Sequence, residues 1–115
     1  MKIKVREEDS VVIFSVDSSI LQEHIPVFRE RLNDIIKRKK CWIIFDMLEA
    51  SYISSIGISV ILEIKKKANE ISGNVVFANV NQLIMNLFEV TDLLKTLEVF
   101  DSVDEAVEAL KKKMP

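Results

Sequence analysis

From Lys2 to Glu7, Ile3 and Val5 alternate with charged residues, and Val11 to Val16 is a short apolar run after the turn Glu8-Asp9-Ser10. Both stretches predict strands. Leu21, Ile25, Phe28, Leu32, Ile35 and Ile36 then recur at spacings of three and four, the stripe of an amphipathic helix. Ser18 or Ser19 is its expected cap, Pro26 is tolerable near its first turn, and its end is expected near Arg38–Lys40, where cations suit the helix dipole. Cys41 to Met47 is nearly all apolar apart from Asp46, as in a central strand covered on both faces.

A second helix is expected after Ser55, with Val60, Ile61, Ile64, Ala68 and Ile71 on its buried side and Gly73 as its stop. Val75 to Val80 reads as the next strand, Leu83 to Val90 as a short helix and Leu97 to Phe100 as a last strand. Val103 to Lys113 reads as a terminal helix capped by Asp101 or Ser102. The order β-β-α-β-α-β-α-β-α predicts an α/β fold: one domain over residues 1–115, with a mixed, mostly parallel sheet and about four helices.

Composition changes this picture little but excludes several functions. With 49% hydrophobic and 30% charged residues in 115, the chain resembles an ordinary globular domain with one core. The net charge of −2 hides no large basic block. Lys37–Lys40, Lys65–Lys67 and Lys111–Lys113 fall at expected helix ends or wet faces, so no nucleic-acid footprint is expected. The single cysteine, Cys41, has no disulfide partner, and no histidine cluster offers a metal site, so no cofactor is expected. No run reaches the ~20 apolar residues of a membrane span and no signal segment opens the chain, so the expected location is cytoplasmic.

The candidate site is the stretch from Phe45 to Val60, where the central strand passes through a polar turn into the second helix. Ser54, Ser55 and Gly57 fall at the helix N-terminus, where free N–H groups and the positive dipole end suit an anion or a partner's polar groups. A hydrolase would need Ser55 as nucleophile, His24 as base and Asp46 as orienter, but nothing in the spacing brings His24 to the turn. There is no Gly-x-Ser-x-Gly elbow, and with two glycines in the chain there is no phosphate-cradling Gly-rich loop, so catalysis is not expected. His24, beside Pro26, fits a solvated or capping role. Cys41 and Trp42 read as core or near-core residues, and Asp46 as a strand-end carboxylate able to bind a turn amide.

Two blocks carry a family resemblance. Phe45-Asp46-Met47-Leu48 followed by Ser54-Ser55-Ile56-Gly57-Ile58-Ser59-Val60 is similar to the Leu-Asp-Leu-Ser…Ile-Asp-Ser-Ser-Gly-Leu-Gly-Val stretch of STAS domains. Ala78-Asn79-Val80, Leu83, Leu87, Val90-Thr91, Leu93, Phe100-Asp101-Ser102 and Glu105-Ala106 resemble the family's Val-Asn-Val…Leu…Leu-Thr-Gly-Leu…Asp-Ser…Glu-Ala ending. STAS domains form bacterial anti-sigma-factor antagonists and the cytoplasmic tails of sulfate transporters. The resemblance implies a non-catalytic binding module that docks Ser54, Ser55, Ile56, Gly57, Ile58 and Ser59 onto a kinase-fold anti-sigma factor and so releases a sigma factor. Its alternative is a regulatory STAS subunit of a membrane transporter, packed against the transporter ATPase.

The departures from the family pattern matter as much. Aligned on Gly57, the family's aspartate falls on Ser54, its first serine on Ser55, and its second serine, the usual phosphoacceptor, on Ile56. In typical antagonists phosphate at that position adds a charge of about −1.5 to −2 and breaks the complex. Isoleucine cannot take part. An outward Ile56 would bury itself against a partner; an inward one would only fill the core. Ser55 or Ser54 remains as a candidate phosphorylation site in a shifted register, against the plainer role of an N-cap. Asp92 replaces the family's glycine after Thr91, and aspartate tolerates the left-handed turn better than most residues.

Overall fold

A computed structural model describes residues 1–115. Its strands are β1 (Ile3–Glu8), β2 (Val11–Val16), β3 (Trp42–Asp46), β4 (Asn74–Ala78) and β5 (Val99–Phe100). The helices are α1 (Ile25–Lys37), α2 (Ser55–Glu70), α3 (Gln82–Val90) and α4 (Val103–Lys113), with 3₁₀ turns at Gln22–His24 and Leu93–Lys95. Sheet order equals chain order, β1-β2-β3-β4-β5, with β1 antiparallel to β2 and every other pair parallel. Because each parallel strand is laid on the same side of its predecessor, right-handed crossovers put α1, α2 and α3 on one face. The expected α/β architecture and element order are what the structure shows.

The period-two alternation of the strands decides which face each residue serves. Val12, Phe14, Ile43, Phe45, Val75 and Phe77 point to the three-helix face and pack with Phe28, Leu32, Ile61, Ile64 and Ile84. Val11, Ile13, Ile44, Val76 and Ala78 point to the other face, where α4 covers them with Ala106, Val107 and Leu110. Phe14, Phe45 and Phe77 are cross-strand neighbours, their ring centroids 5.4 and 5.5 Å apart. Phe28 of α1 and Phe88 of α3 close this row edge-on at 5.7 and 5.2 Å. The row ties both outer crossovers to the central strand, so truncating Phe45 would cost about 3–5 kcal/mol.

Several expectations about boundaries are corrected. Neither Ser18 nor Ser19 caps α1: Leu21 to His24 form a 3₁₀ lead-in whose first N–H donates to His24 Nδ1 at 3.1 Å. Gly73 does not supply the left-handed stop of α2, because Ser72 takes that conformation at φ 69°. Gly73 is needed for space, since a Cβ there would lie 2.1 Å from the Cys41 carbonyl oxygen. Ile71, expected inside, is exposed. Lys65, expected on a wet face, is half-buried and donates to Asn74 Oδ1 at 2.6 Å; burial pushes its ammonium below the ordinary lysine range. Asp92 does adopt the left-handed conformation, at φ 64°.

Candidate functional site

The site lies at the end of the sheet where β2, β3 and β4 finish. Asp46, the last residue of β3, knots these ends together. Its carboxylate accepts from Asn79 Nδ2 at 3.0 Å, the Leu48 N–H at 3.2 Å and Ser15 Oγ at 3.3 Å. Beside it a recess of about 170 Å³ is lined by Lys4, Ser15, Val16, Leu48 and Glu49, smaller than the ~300 Å³ at which small-molecule pockets begin. The arrangement is a scaffold for the loop that follows rather than a ligand cavity.

That loop is held on two sides. Ile20 and Ile53 form an isolated parallel bridge, with the Ile20 N–H donating to the Tyr52 carbonyl at 3.0 Å and the Ser54 N–H donating to the Ile20 carbonyl at 2.9 Å. Ser19, freed from capping α1, accepts the Tyr52 N–H on its Oγ at 3.1 Å. From the other side Asn81 Nδ2 donates to the carbonyls of Ser51 and Ala50 at 3.0 and 3.2 Å, while its Oδ1 caps α3 by accepting from the Ile84 N–H. Sequence reasoning missed Asn81 and Ser19, whose signal was only their polarity beside strand ends. Both spend hydrogen bonds on fixing the turn.

Ser54 is the N-cap of α2, its Oγ accepting from the Gly57 N–H at 3.1 Å. Gly57 faces inward, where a Cβ would stand 2.9 Å from Ile53 Cγ1 and 3.1 Å from Ile20 Cγ2. A side chain there would lift the first turn of α2 off the Ile20–Ile53 bridge. Ile58 is buried as well. Of the six expected docking residues, Gly57 and Ile58 face the core and support the turn from beneath. Ser55, Ile56 and Ser59 are exposed. Ser59 Oγ donates to the Ser55 carbonyl at 3.1 Å, leaving the Ser55 hydroxyl as the open one in this turn. Ile56 points outward, with 40% of its surface in solvent.

The surroundings of the turn include large apolar side chains in solvent. Leu48, 71% exposed, and Tyr52 precede it in the loop, and Leu83 stands just beyond Asn81. These apolar side chains stand exposed on neighbouring loops and one helix start. His24 Nδ1 is taken up by the Leu21 N–H. No group of three or more His, Cys, Asp or Glu side chains is placed to hold a metal ion, and no helix is long and apolar enough to cross a membrane.

Known proteins share this architecture. BtrV of Bordetella bronchiseptica, named as an anti-sigma factor antagonist, is 22% identical over 115 residues, covering 100% of this chain and 99% of BtrV. The crystal structure of a Thermotoga maritima protein described as an anti-sigma factor antagonist superposes with a TM-score of 0.90 at 20% identity, over 95% of this chain and 94% of that one. The murine anion transporter Slc26a9 contains a similar fold, with a TM-score of 0.75 at 19% identity over 93% of this chain but 18% of the transporter. The fold alone is therefore found in proteins named as antagonists and in a transporter. The model of the STAS domain matches residues 2–106, and with that match the chain belongs to the STAS domain family.

Proposed function

We propose that this protein is a non-catalytic binding module of the anti-sigma-factor antagonist type, docking the first turn of α2 onto a kinase-fold anti-sigma factor and thereby releasing a sigma factor. The observation that carries the reading is Ile56, a large apolar side chain left in solvent on a turn that three separate hydrogen-bonded anchors hold still. Burying the 40% of its surface left in solvent would contribute about 1 kcal/mol to a complex. Preorganisation of the turn removes ordering costs that a mobile loop would bring. A relative named as an anti-sigma factor antagonist, aligned over 99% of its own length, supports this reading.

With isoleucine at the position that aligns with the family's acceptor, phosphate cannot be placed there, and binding lacks that off-switch. Ser55 is the neighbouring hydroxyl open to a kinase, whereas the Ser54 hydroxyl is committed to the cap. The test is direct titration of the purified protein against the purified kinase-fold anti-sigma factor of the same organism. Ile56→Glu should weaken binding at least tenfold, because the complex would bury an unpaired charge. Its thermal midpoint should not fall, because a carboxylate in the first turn of a helix suits the dipole. Unchanged affinity would remove Ile56 from the interface, and no binding by the unsubstituted protein would overturn the reading.

A further inference from the structure

We infer that the outward face of α3 is the second half of the same docking surface, and that it receives a partner face with an apolar centre and a cationic rim; the inference rests on the reading just proposed. Leu83, Leu87 and Val90 fall at spacings of four and three, so they share one stripe of the helix. Leu83 is 58% exposed and Val90 80%, while Leu87 is half-buried. Glu89 is the single charge among the nine residues of α3. In α4 the equivalent outward positions carry Asp104, Glu105, Glu108 and Lys112. A lone exposed apolar residue among charges is ordinary, but a charge-poor stripe of them is an interaction surface.

The stripe joins the turn physically. Asn81 caps α3 and bonds the Ser51 and Ala50 carbonyls, so Leu83 is held in fixed relation to the loop that carries Leu48 and Tyr52. The charge around both halves is mostly acidic, with Lys4 the one cation beside Leu48 and Glu49. No lysine or arginine occurs between Lys40 and Lys65 or between Lys67 and Lys95, and Lys95 is tied to Asp92 at 3.1 Å. Glu49 and Glu89 are exposed acids flanking the loop and the stripe, and Asp92 follows at the end of α3. Complementarity therefore calls for lysine or arginine on the partner's rim. A second copy fits poorly: two α3 helices, each about 13 Å long, would cover far less than the roughly 800 Å² a side of a stable interface, and both would bring the same acidic rim.

The experiment is binding of the purified kinase-fold anti-sigma factor of the same organism to a set of variants at low and high salt. Leu83→Glu and Val90→Glu should each weaken binding at least tenfold, and Glu89→Lys should weaken it several-fold while flattening the salt dependence. Val27→Glu, on an isolated exposed residue of α1, should stay within twofold. Leu83→Ser and Val90→Ser serve as milder replacements if either glutamate variant lowers the thermal midpoint. If Ile56→Glu weakens binding but every α3 variant stays within twofold, the inference is overturned and the anti-sigma-factor reading survives. Absence of binding by the unsubstituted chain overturns both. A dimer of the free protein that Val90→Glu dissolves would overturn the assignment in favour of self-association.

Discussion

The two ends of the sheet are finished in opposite ways. Where the parallel strands begin, the helix C-termini bring together Lys37–Lys40, Lys66–Lys67 and Lys111–Lys113, and acids from other elements answer several of them. Lys40 pairs with Glu7, Lys111 with Asp9 at 3.1 Å and Lys113 with Glu98 at 3.2 Å. Where the strands finish, the loop after β3 and the start of α3 carry Leu48, Tyr52 and Leu83 in solvent, with no cation on either element. Charges at the first end satisfy helix dipoles and favour water. At the second end Ser19 and Asn81 spend hydrogen bonds on loop backbone, and large apolar side chains stand among the exposed residues.

The glycines give the largest expected contrast. Gly73→Ala, at the charged end, would place a Cβ 2.1 Å from a carbonyl oxygen that cannot swing away, and should cost more than about 3 kcal/mol or prevent folding. Gly57→Ala, at the apolar end, meets only isoleucine side-chain carbons at 2.9 and 3.1 Å and should cost about 1–3 kcal/mol. Urea denaturation measures both. Equal losses would show that the first turn of α2 is as tightly packed as the close approach at Cys41.

Asn81→Ala should have the next largest effect. Loss of the α3 cap costs ~1 kcal/mol, and loss of its bonds to Ala50 and Ser51 frees the loop, so amide exchange at Leu48–Ile53 should speed up more than in the core strands. Unaltered exchange there would mean that the Ile20–Ile53 bridge alone holds the loop.

The smallest expected effect belongs to the charged end. Asp9 holds the Lys111 ammonium above its ordinary value of 10.5, first through the hydrogen bond and then through its charge. A raised lysine contributes stability that is fully present below that value and is lost as the pH climbs above it. Lys111→Met should therefore leave stability nearly unchanged near neutrality, since exposed pairs contribute little, and should reduce its decline above pH 10.5. Denaturation curves at neutral and alkaline pH would show it.

Much of this was legible in the sequence because the strands and helices, Ile71 apart, follow their periods in the core. The stripe of Phe28, Leu32 and Ile35 and the run from Ile43 to Phe45 are buried where their spacing placed them. Turn chemistry was less legible. Left-handed φ values fall on Asp9, Ser10, Lys39, Ser72, Asn79 and Asp92 and on neither glycine, so reading Gly73 as a helix stop followed a preference that packing overrode. Ser19 and Asn81 act through bonds to residues 30 or more positions away, which local pattern cannot reveal. The turn itself was located by its residue types, yet periodicity could not say that Gly57 and Ile58 face inward while Ile56 faces out. Nor did it show that the apolar residues of α3 exceed what its core contact needs.

The central claim is that the end carrying Ile56 and Leu83 is the docking end. Hydrogen exchange of the protein alone and with the purified kinase-fold anti-sigma factor tests it most directly. Protection on complex formation should appear at Leu48–Ser59 and Gln82–Val90 and be absent at Lys37–Lys40 and Lys111–Lys113. Protection confined to the lysine-rich end would contradict the account.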